Sequence, residues 1–298
     1  MLETDLTQID LKNPVITIGN FDGVHVGHRM LLNRMRKLAR NSKKPSLVLT
    51  FFPPTRVLFS GANFLSSAEE KSILLSRFNP SKVIMIPFNP AYARTAKDQF
   101  VRQLEQLNPH AIIVGENFRF GRSRIGTLND LSVITDHLET CRLRSSGGDI
   151  VSSSRIRKLL GLGKIEEANR LLGSPYIAIG KVIKGQKLGR TIGFPTANMD
   201  IDVRKALPIG VFAVTARIHG RNYKGMANVG PRPSFPDETP SCEVHLFAFA
   251  DQIYGKKLEV TFYSHLRNQE RFEHLTILKE QLEEDRRRAL IALETLSQ

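Results

Sequence analysis

The first half of the chain alternates short, almost wholly apolar runs with longer stretches in which apolar residues recur at helical spacing. The apolar runs cover residues 15–18, 47–50, 83–86 and 111–114. Such runs are typical of parallel strands that are buried on both faces. The stretches between them, such as 30–40 and 67–78, predict amphipathic helices. Alternating strands and helices predict an α/β domain with a parallel sheet.

The second half has a different pattern, in which short strand-like segments are separated by glycine and proline. These segments cover residues 176–182, 211–218, 243–249 and 258–262. They predict an antiparallel sheet or a small barrel. Helical spacing returns from 276 to 296. We therefore predict two domains, residues 1–173 and 174–298, with a terminal helix packed on the second.

The composition of the 298-residue chain is that of an ordinary globular protein, with 41% hydrophobic and 24% charged residues. Cys141 and Cys242 lie far apart without CxxC spacing, so neither a zinc site nor a disulfide framework is indicated. The N-terminal segment 1–14 is acidic and polar, unlike a secretory signal, and no apolar run approaches the roughly 20 residues that span a bilayer. We expect a cytoplasmic protein without a membrane partner.

The net charge of +14 fits three classes of partner: nucleic acid, a membrane surface or polyanionic small molecules. The chain has no zinc-finger spacing, no basic run of five residues and no ribonucleoprotein-type aromatic motif. These absences disfavour nucleic acid. A basic nucleic-acid-binding protein remains a rival hypothesis, which salt-dependent binding would test.

Residues 19–28 read Gly-Asn-Phe-Asp-Gly-Val-His-Val-Gly-His and lie between a predicted strand and a predicted helix. A helix N-terminus offers free backbone N–H groups and a partial positive charge, which attract phosphate. Gly23 and Gly27 let the backbone come close to a ligand, and His25 and His28 supply donors. The plain alternative is a strand-to-helix turn with two incidental histidines. Because strand, glycines and helix agree, the pattern favours a phosphate site.

Two further segments carry polar groups at the ends of predicted elements. Residues 115–121, Gly-Glu-Asn-Phe-Arg-Phe-Gly, begin where a strand ends, the usual place for ligand contact in an open α/β sheet. Residues 152–157, Ser-Ser-Ser-Arg-Ile-Arg, put hydroxyls and two arginines at the start of a helix. Taken alone, the first segment fits an ordinary loop and the second fits a capped helix with surface arginines.

Together the three segments resemble the N-terminal domain of bacterial bifunctional riboflavin kinase/FAD synthetases, whose motifs run GxFDGxHxGH, VGxxFxFG and SS(S/T)xIR. The resemblance implies a Rossmann-like nucleotidyltransferase domain that joins FMN to the AMP part of ATP. It implies that His28 and Arg157 act in catalysis and that Asn117 helps to position the ligand. The implied nucleotide-binding residues are Gly19, Phe21, Asp22, Gly23, His25, Gly27, His28, Asn117, Ser153, Ser154 and Arg157.

The chain departs from the family pattern after the second predicted strand. The family usually continues TFxPHP there, whereas residues 50–55 read Thr-Phe-Phe-Pro-Pro-Thr. Pro54 therefore stands where the family has a histidine, at a position that bears on adenylyl transfer or on flavin contact.

Residues 185–198 read Gly-Gln-Lys-Leu-Gly-Arg-Thr-Ile-Gly-Phe-Pro-Thr-Ala-Asn, which is not a P-loop and is not followed by a helical pattern. The glycines and basic residues predict a flexible flap that closes over nucleotide phosphates, with a generic glycine-rich turn as the alternative. The predicted contacts are Gly185, Lys187, Gly189 and Arg190. Thr196 and Asn198 offer oxygen atoms two residues apart on a predicted strand, which suits Mg²⁺.

The combined GxxxGRxxGFPTAN string resembles riboflavin kinase, and the rest of that family's pattern follows in order to about residue 290. The resemblance implies a six-stranded antiparallel β-barrel in which Glu243 is the catalytic base on the 5′-hydroxyl of riboflavin. It places Thr196 and Asn198 at Mg²⁺–ATP, and it places Asn228 and Arg267 at the flavin.

Some of these residues have plain alternatives. A carboxylate that begins a strand, such as Glu243, is often a surface residue, and Arg267 can pair with a surface acid instead of a ligand. The charged run 283–288 predicts a solvated helix face with i,i+4 pairing.

The leading hypothesis is a bifunctional enzyme that phosphorylates riboflavin to FMN and then adenylylates FMN to FAD, with ATP as co-substrate and Mg²⁺ at both steps. The alternative is a riboflavin kinase whose first domain is a degenerate or regulatory nucleotide-binding module, motivated by Pro54. The expected partners are ATP, riboflavin, FMN and FAD, without nucleic acid or membrane. Self-association is left open.

Overall fold

The computed structural model describes residues 10–142, 145–146, 149–185, 188–230 and 241–295. Its strands are β1 (Val15–Ile18), β2 (Ser46–Phe52), β3 (Lys82–Pro87), β4 (Ala111–Gly115), β5 (Leu138–Cys141), β6 (Ser145–Ser146), β7 (Asp149–Ile150), β8 (Tyr176–Ile183), β9 (Ala197–Asp200), β10 (Gly210–Ile218), β11 (Arg221–Gly230), β12 (Ser241–Leu246) and β13 (Lys257–Arg267). Its α-helices are α1 (Val26–Ser42), α2 (Thr55–Ser60), α3 (Ala68–Ser76), α4 (Lys97–Glu105), α5 (Leu128–Ser132), α6 (Ser153–Gly161), α7 (Ile165–Leu172), α8 (Leu188–Thr191) and α9 (Leu275–Glu294).

By its internal contacts the chain forms two compact units, one ending at Ser153 and the other beginning at Ser154. Helix α7 packs on β8 and β13 of the second unit. The Asn169 amide fixes this packing, because its Nδ2 donates to the Phe262 carbonyl at 2.9 Å and its Oδ1 accepts from the Tyr176 N–H at 2.8 Å. The boundary at 173 between the two functional domains stays a prediction.

In the first unit, five parallel strands form one sheet in the order β3-β2-β1-β4-β5. The four apolar runs become β1 to β4, and core residues such as Ile16, Leu47 and Ile112 are fully buried. The prediction of an α/β domain with a parallel sheet is confirmed. The sequence pattern does not reveal β5, since Glu139 and Thr140 interrupt its apolar residues.

The strand order places the ligand crevice of this sheet. The chain runs outward from β1 to β2 and β3, and then returns to add β4 on the other side of β1. In open α/β sheets such a reversal leaves a crevice beyond the carboxyl ends of the two central strands. Residues 19–25 follow β1 and residues 116–121 follow β4, so two of the predicted ligand segments lie at that crevice.

In the second unit, six antiparallel strands close into a barrel in the order β10-β11-β12-β9-β8-β13. Alternate residues of β12 face the interior, where Cys242 and Val244 are buried. The predicted six-stranded antiparallel barrel is confirmed. The sequence pattern does not reveal β11, because its first residues, 221–224, are polar and at least partly exposed.

The terminal helix α9 packs across β10, β11 and β13. Its residues Ala289 and Leu293 are buried against Val211 and Leu266 of the barrel. This packing explains why helical spacing returns at the end of the chain. Within the described ranges, no helix is both long enough and apolar enough to cross a membrane.

The charged run on α9 differs from its prediction. Asp285 is fully buried, so the prediction of a solvated face over 283–288 is wrong at this residue. Ion pairs join Glu284 to Arg287 and Glu283 to Arg286, which is i,i+3 rather than i,i+4 spacing. The run is therefore solvated on one side and anchors the helix through Asp285 on the other.

Candidate active sites

The loop after β1 has a constrained backbone. Phe21 and Gly23 have positive φ angles of 45° and 77°. Asp22 Oδ1 accepts from the N–H of Leu65 at 2.8 Å and of Ser66 at 3.2 Å. The Gly23 N–H in turn donates to Ser66 Oγ at 3.1 Å. Backbone held in sparsely populated conformations by its surroundings clusters at ligand sites, which supports a binding role for this loop.

Three of the predicted nucleotide contacts shape this loop. Phe21 is fully buried, and a Cβ at Gly19 would lie 3.2 Å from the Phe21 ring. The Asp22 carboxylate is buried and accepts backbone N–H groups, whereas a phosphate facing it would be repelled. Direct contact of these three residues with nucleotide stays a prediction.

His25 and His28 stand at the start of α1. His25 is the N-cap, and its Nδ1 accepts from the His28 N–H at 3.4 Å. The two imidazole rings stack with centroids 3.6 Å apart, and the Phe21 ring meets His28 edge-on at 5.2 Å. Nδ1 of His28 is buried and has no hydrogen-bond partner among the described residues. The pair is preorganised at a helix N-terminus, which favours anions.

Burial keeps both imidazoles neutral at pH 7. It lowers the pKa of His25 to about 4. It also lowers the pKa of His28 well below the usual 6.5, and the charges of His25 and Lys71 add to this effect. A phosphate beside these rings would raise their pKa values again, because an anion stabilises the protonated imidazole.

The loop after β4 presents Asn117. The Phe118 N–H donates to the Gly115 carbonyl at 2.9 Å, which closes a tight turn, and Asn117 itself is exposed. Gly121 is needed here, because its φ is +71° and a Cβ would lie 2.9 Å from the Lys97 backbone. Since β4 pairs with β1, Asn117 lies on the same crevice as the histidine pair.

The predicted serines and arginine lie at the start of α6. Ser153 Oγ donates to the Asp22 carbonyl at 3.1 Å, which ties this serine to the loop after β1. Ser154 is exposed and Arg157 is half-buried, and both belong to the second compact unit. The phosphate contacts of all three residues stay predictions.

A row of polar side chains crosses three strands of the barrel. Glu243 of β12 pairs directly with Asn228 of β11 on one side and with Asn198 of β9 on the other. Directly paired residues project from the same face of a sheet, and the neighbours Cys242 and Val244 are buried in the interior. The polar row therefore lies on the outer face of the barrel wall.

Thr196 and Gly185 complete this polar row. Thr196 Oγ1 donates to Glu243 Oε2 at 3.5 Å. The Gly185 backbone lies against the buried Asn198 amide, so any side chain at 185 would collide with it. Hydroxyl, amide and carboxylate oxygens form a hard donor set that fits Mg²⁺. In the part of the chain that the structure describes, no three His, Cys, Asp or Glu side chains form a metal cluster, so a cation here relies on Thr and Asn oxygens.

The glycine-rich segment is partly helical. It forms the single turn α8, although the sequence shows no helical pattern there. Gly189 permits the turn, because the Phe194 N–H donates to its carbonyl at 2.7 Å and the Phe194 carbonyl fills the space of a Cβ. Arg190 is exposed, and Lys187 lies outside the described residues. The phosphate contacts predicted for this segment stay predictions.

Arg267 is held by helix α9. Its Nε lies 3.0 Å from Asp285 Oδ1, and its Nη2 lies 2.9 Å from Asp285 Oδ2. Its Nη1 donates to the Asn268 carbonyl at 3.0 Å, and the Phe272 ring centroid lies 5.4 Å from the guanidinium carbon. Arg267 thus pairs with an acid, but the acid is buried rather than on the surface. Its contact with flavin stays a prediction.

Comparison with known proteins finds a family model for each half of the chain. A family model described as FAD synthetase matches residues 7–155, and one described as riboflavin kinase matches residues 172–293. The bifunctional riboflavin kinase/FMN adenylyltransferase of Haemophilus influenzae is 37% identical over 286 residues, 92% of each chain. The protein of that name from Bacillus subtilis is 33% identical over 288 residues, 93% of this chain and 91% of that one. The chain belongs to this bifunctional riboflavin kinase/FMN adenylyltransferase family.

A solved structure of similar fold comes from Streptococcus pneumoniae and is described as a macrolide-efflux protein. It has a TM-score of 0.85 and 28% identity, and the match covers 96% of this chain and 97% of that chain. The likeness therefore extends over both domains of the riboflavin kinase/FMN adenylyltransferase family member.

The position of the family histidine is occupied by Pro54 at the start of α2. Pro54 is buried, and its carbonyl accepts from the Val57 N–H at 2.9 Å. Proline is well tolerated where a helix begins, because its missing N–H has no helical partner there. Pro54 therefore supplies no polar side chain here, and α2 begins at Thr55 directly after it.

An aromatic surface lies where β2 and β3 end, and sequence reasoning missed it. Phe88 meets Phe51 and Tyr92 at centroid distances of 5.9 Å and meets Phe59 at 6.0 Å. Phe59 is 70% exposed. The other three rings are half-buried, and an exposed ring such as that of Phe59 suits stacking on a planar ligand. Spacing alone does not reveal the surface, since pairing of β2 with β3 brings the rings together.

Two polar residues near the sites were also missed. Lys71 of α3 precedes the buried residues Leu74 and Leu75 by three and four positions, so it lies on the apolar face of the helix. A lysine on that face was the one sign in the sequence that Lys71 is buried. Gln269 donates from Nε2 to Asn228 Oδ1 at 2.8 Å, and nothing in the sequence points to this contact.

Proposed function

We propose that this chain phosphorylates riboflavin to FMN at the barrel and joins FMN to the AMP part of ATP at the first domain. The observation that carries the proposal is that each compact unit holds a polar site of its own. One is the row Asn228–Glu243–Asn198, and the other is the histidine pair beneath a constrained loop. The pairing of these two sites in one chain matches the two activities in the family's name.

At the barrel, Glu243 acts on the 5′-hydroxyl of riboflavin. The hydroxyl oxygen forms a bond to the γ-phosphorus of ATP, the bond to ADP breaks, and the hydroxyl proton passes to the carboxylate. A base in such a loose transition state needs mainly to orient the hydroxyl and accept its proton. Thr196 and Asn198 hold Mg²⁺ in this proposal, and the ion neutralises charge on the phosphates when bound. Asn228, oriented by Gln269, faces the flavin.

At the first domain, a phosphate oxygen of FMN attacks the α-phosphorus of ATP and pyrophosphate leaves. Positioning and charge neutralisation supply most of the rate in such transfers, so no covalent enzyme intermediate is required. His25 and His28 donate to phosphate oxygens beside the backbone N–H groups of α1. The family pattern adds Ser153 of the first unit as a phosphate ligand. The aromatic surface of Phe51, Phe59, Phe88 and Tyr92 is available to the isoalloxazine ring.

Charge and cysteine state fit these reactions. The net charge of +14 suits substrates that are all anionic except riboflavin. Cys141 and Cys242 are both free, as expected in a reducing compartment. We place the enzyme in the cytoplasm, with ATP and Mg²⁺ supplied there.

The kinase-only alternative rests on Pro54, which removes the family histidine. The comparisons do not favour it, because the relatives that match over nine-tenths of the chain are named for both activities. The constrained loop and the stacked histidines are also intact.

The purified chain is incubated with Mg²⁺–ATP and riboflavin, and separately with Mg²⁺–ATP and FMN, and the flavins are resolved by chromatography. We expect riboflavin to pass through FMN to FAD, and supplied FMN to give FAD with pyrophosphate. Accumulation of FMN from riboflavin, with supplied FMN left unchanged, would instead establish the kinase-only enzyme.

A further inference from the structure

Lys71 is a fully buried lysine of α3 whose ammonium group ends between two strand termini. Its Nζ donates to the Asn20 carbonyl at 2.8 Å and to the Phe51 carbonyl at 2.7 Å. Asn20 belongs to the loop after β1 and Phe51 to the end of β2. A single side chain thus ties the phosphate-binding loop to the neighbouring strand.

Asn20 extends this connection to a third segment. Its carbonyl also accepts from Thr50 Oγ1 at 3.1 Å. Its side-chain Oδ1 accepts from the Thr55 N–H at 3.3 Å, and its Nδ2 donates to Thr55 Oγ1 at 3.2 Å. Thr55 begins α2, directly after Pro54. Lys71 and Asn20 therefore set the position of the segment that lacks the family histidine relative to the loop after β1.

Burying the charged ammonium group of Lys71 costs free energy, which argues against the view that this side chain only fills space in the core. An apolar side chain of similar length would fill the same space without desolvating an ammonium group. Burial lowers the pKa of Lys71 to about 8, and the nearby Asp22 carboxylate opposes this shift. The charged and titratable groups facing it are Asp22 of the loop and His28 of α1, with Glu70 beside it engaged in the Ser67 capping box.

We infer that Lys71 is a positioning residue for adenylyl transfer, which fixes the loop after β1 against the end of β2 and places a positive charge behind the polyphosphate site. Its two acceptors are carbonyls at the carboxyl ends of parallel strands, where uncompensated oxygens would repel phosphate. It does not contact the reacting atoms. The inference rests on the proposed adenylyl transfer at this domain.

The first test is the variant Lys71→Met in the full chain, assayed for FAD formation from FMN and for FMN formation from riboflavin. We expect kcat for FAD formation to fall by about 10- to 100-fold, because small misplacements of reacting groups cost that much. FMN formation should stay unchanged. The matched control is Lys205→Met, which removes a buried lysine of the second unit and should leave FAD formation intact. A Lys71→Met enzyme with wild-type kcat would overturn the inference.

The second test is the pH profile of the wild-type enzyme, which does not depend on whether a variant folds. The pKa of Lys71 is about 8 in the folded state and 10.5 as the ordinary value. Between these two values the unfolded chain binds more protons than the folded chain, so the contribution of Lys71 to folding stability rises with pH. We expect kcat for FAD formation to fall above pH 8 although the contribution of Lys71 itself to stability rises there, because the positive charge behind the polyphosphate site is lost. A lysine with a purely structural role would leave kcat unchanged over this range. A flat kcat from pH 7 to 9 would therefore contradict the role of the Lys71 charge.

These tests separate the inference from the proposed function. If wild-type enzyme makes no FAD from FMN at any pH, the adenylyl-transfer function fails. If wild-type enzyme makes FAD and Lys71→Met makes it equally well, the function stands and only the role of Lys71 fails.

Discussion

The two sites of this enzyme are built in different ways. In the barrel, the polar row Asn228–Glu243–Asn198 is set by strand register, with each residue directly opposite the next. In the first domain, the site after β1 is a loop whose shape depends on distant side chains. Asp22 holds the backbone of residues 65 and 66, and Lys71 reaches the Phe51 carbonyl.

This difference indicates which substitutions should disrupt each site. A register-built site is specified by the residues of the row, because the hydrogen-bonded ladder fixes their positions. A loop-built site also depends on residues that never meet the substrate, because constrained backbone persists only when its surroundings over-determine it. Substitutions should therefore act locally at the polar row of the barrel and over a wider region at the first domain. Arg267 is the exception in the barrel, because Asp285 of α9 holds it.

Glu243→Gln should break the barrel site with the largest effect. The amide cannot accept the hydroxyl proton, so FMN formation should fall by roughly 100- to 10,000-fold, the usual contribution of a general base. FAD formation from supplied FMN should continue. Both rates are measured on the same preparation by chromatography.

The matched control is Glu259→Gln, a half-buried carboxylate on β13 that is not part of the row. It should leave both rates near wild type. Equal losses of FMN and FAD formation in Glu243→Gln would show that the two sites are not independent.

Asp285→Ala tests how α9 supports the barrel. Removing one partner of a buried ion pair leaves the other charge uncompensated, which destabilises proteins by about 3–5 kcal/mol. The Arg267 side chain is only 12% exposed, so we expect a loss of that size, together with a raised KM for riboflavin. Circular dichroism during urea unfolding measures the loss of stability. Steady-state kinetics of FMN formation measure the KM for riboflavin.

Glu284→Ala is the control for this prediction, since Glu284 pairs with Arg287 on the exposed side of the same helix. Exposed pairs contribute little to stability, and the variant should unfold like wild type. If Asp285→Ala unfolds no earlier than Glu284→Ala, the buried pair does not anchor α9.

The sequence predicted the elements better than it predicted the contacts between them. Strands β1 to β4 were evident because most of their positions are apolar, whereas β11 was hidden by its polar first residues. Glu243 and Asn198 were predicted from motifs, but their common row follows from long-range register. Asp285 was taken for a solvated residue, because its partner Arg267 is 18 residues away along the chain and a helical pattern does not encode such pairs.

His28→Ala should weaken the first domain more moderately than Glu243→Gln weakens the barrel. A hydrogen bond to a charged phosphate contributes about 1.5–3 kcal/mol, so FAD formation should fall by roughly 10- to 100-fold, and FMN formation should persist. Rates of both reactions at saturating ATP measure the change. A kinase defect of similar size would contradict the assignment of His28 to adenylyl transfer.

The smallest expected effect is the acid sensitivity that His25 gives to the first domain. Its pKa is about 4 in the folded state and about 6.5 when unfolded. Between these values the unfolded chain binds more protons, so the free energy of unfolding falls as pH drops from 6.5 toward 4. At pH 5.5 this amounts to about 1 kcal/mol from one histidine, or a few degrees in melting temperature.

His25→Asn removes this titration and keeps a side-chain acceptor suited to an N-cap. Its melting temperature should therefore fall less than that of wild type between pH 7 and pH 5.5, as measured by calorimetry on the full chain. His219→Asn is the control, because His219 is exposed and its φ of 48° is one that Asn tolerates. If the melting temperatures of His25→Asn and wild type fall by the same amount on acidification, the burial of His25 is not the source of the acid sensitivity. The stability of the loop-built site would then depend less on its histidines than on the hydrogen bonds that Asp22 and Lys71 make to the backbone.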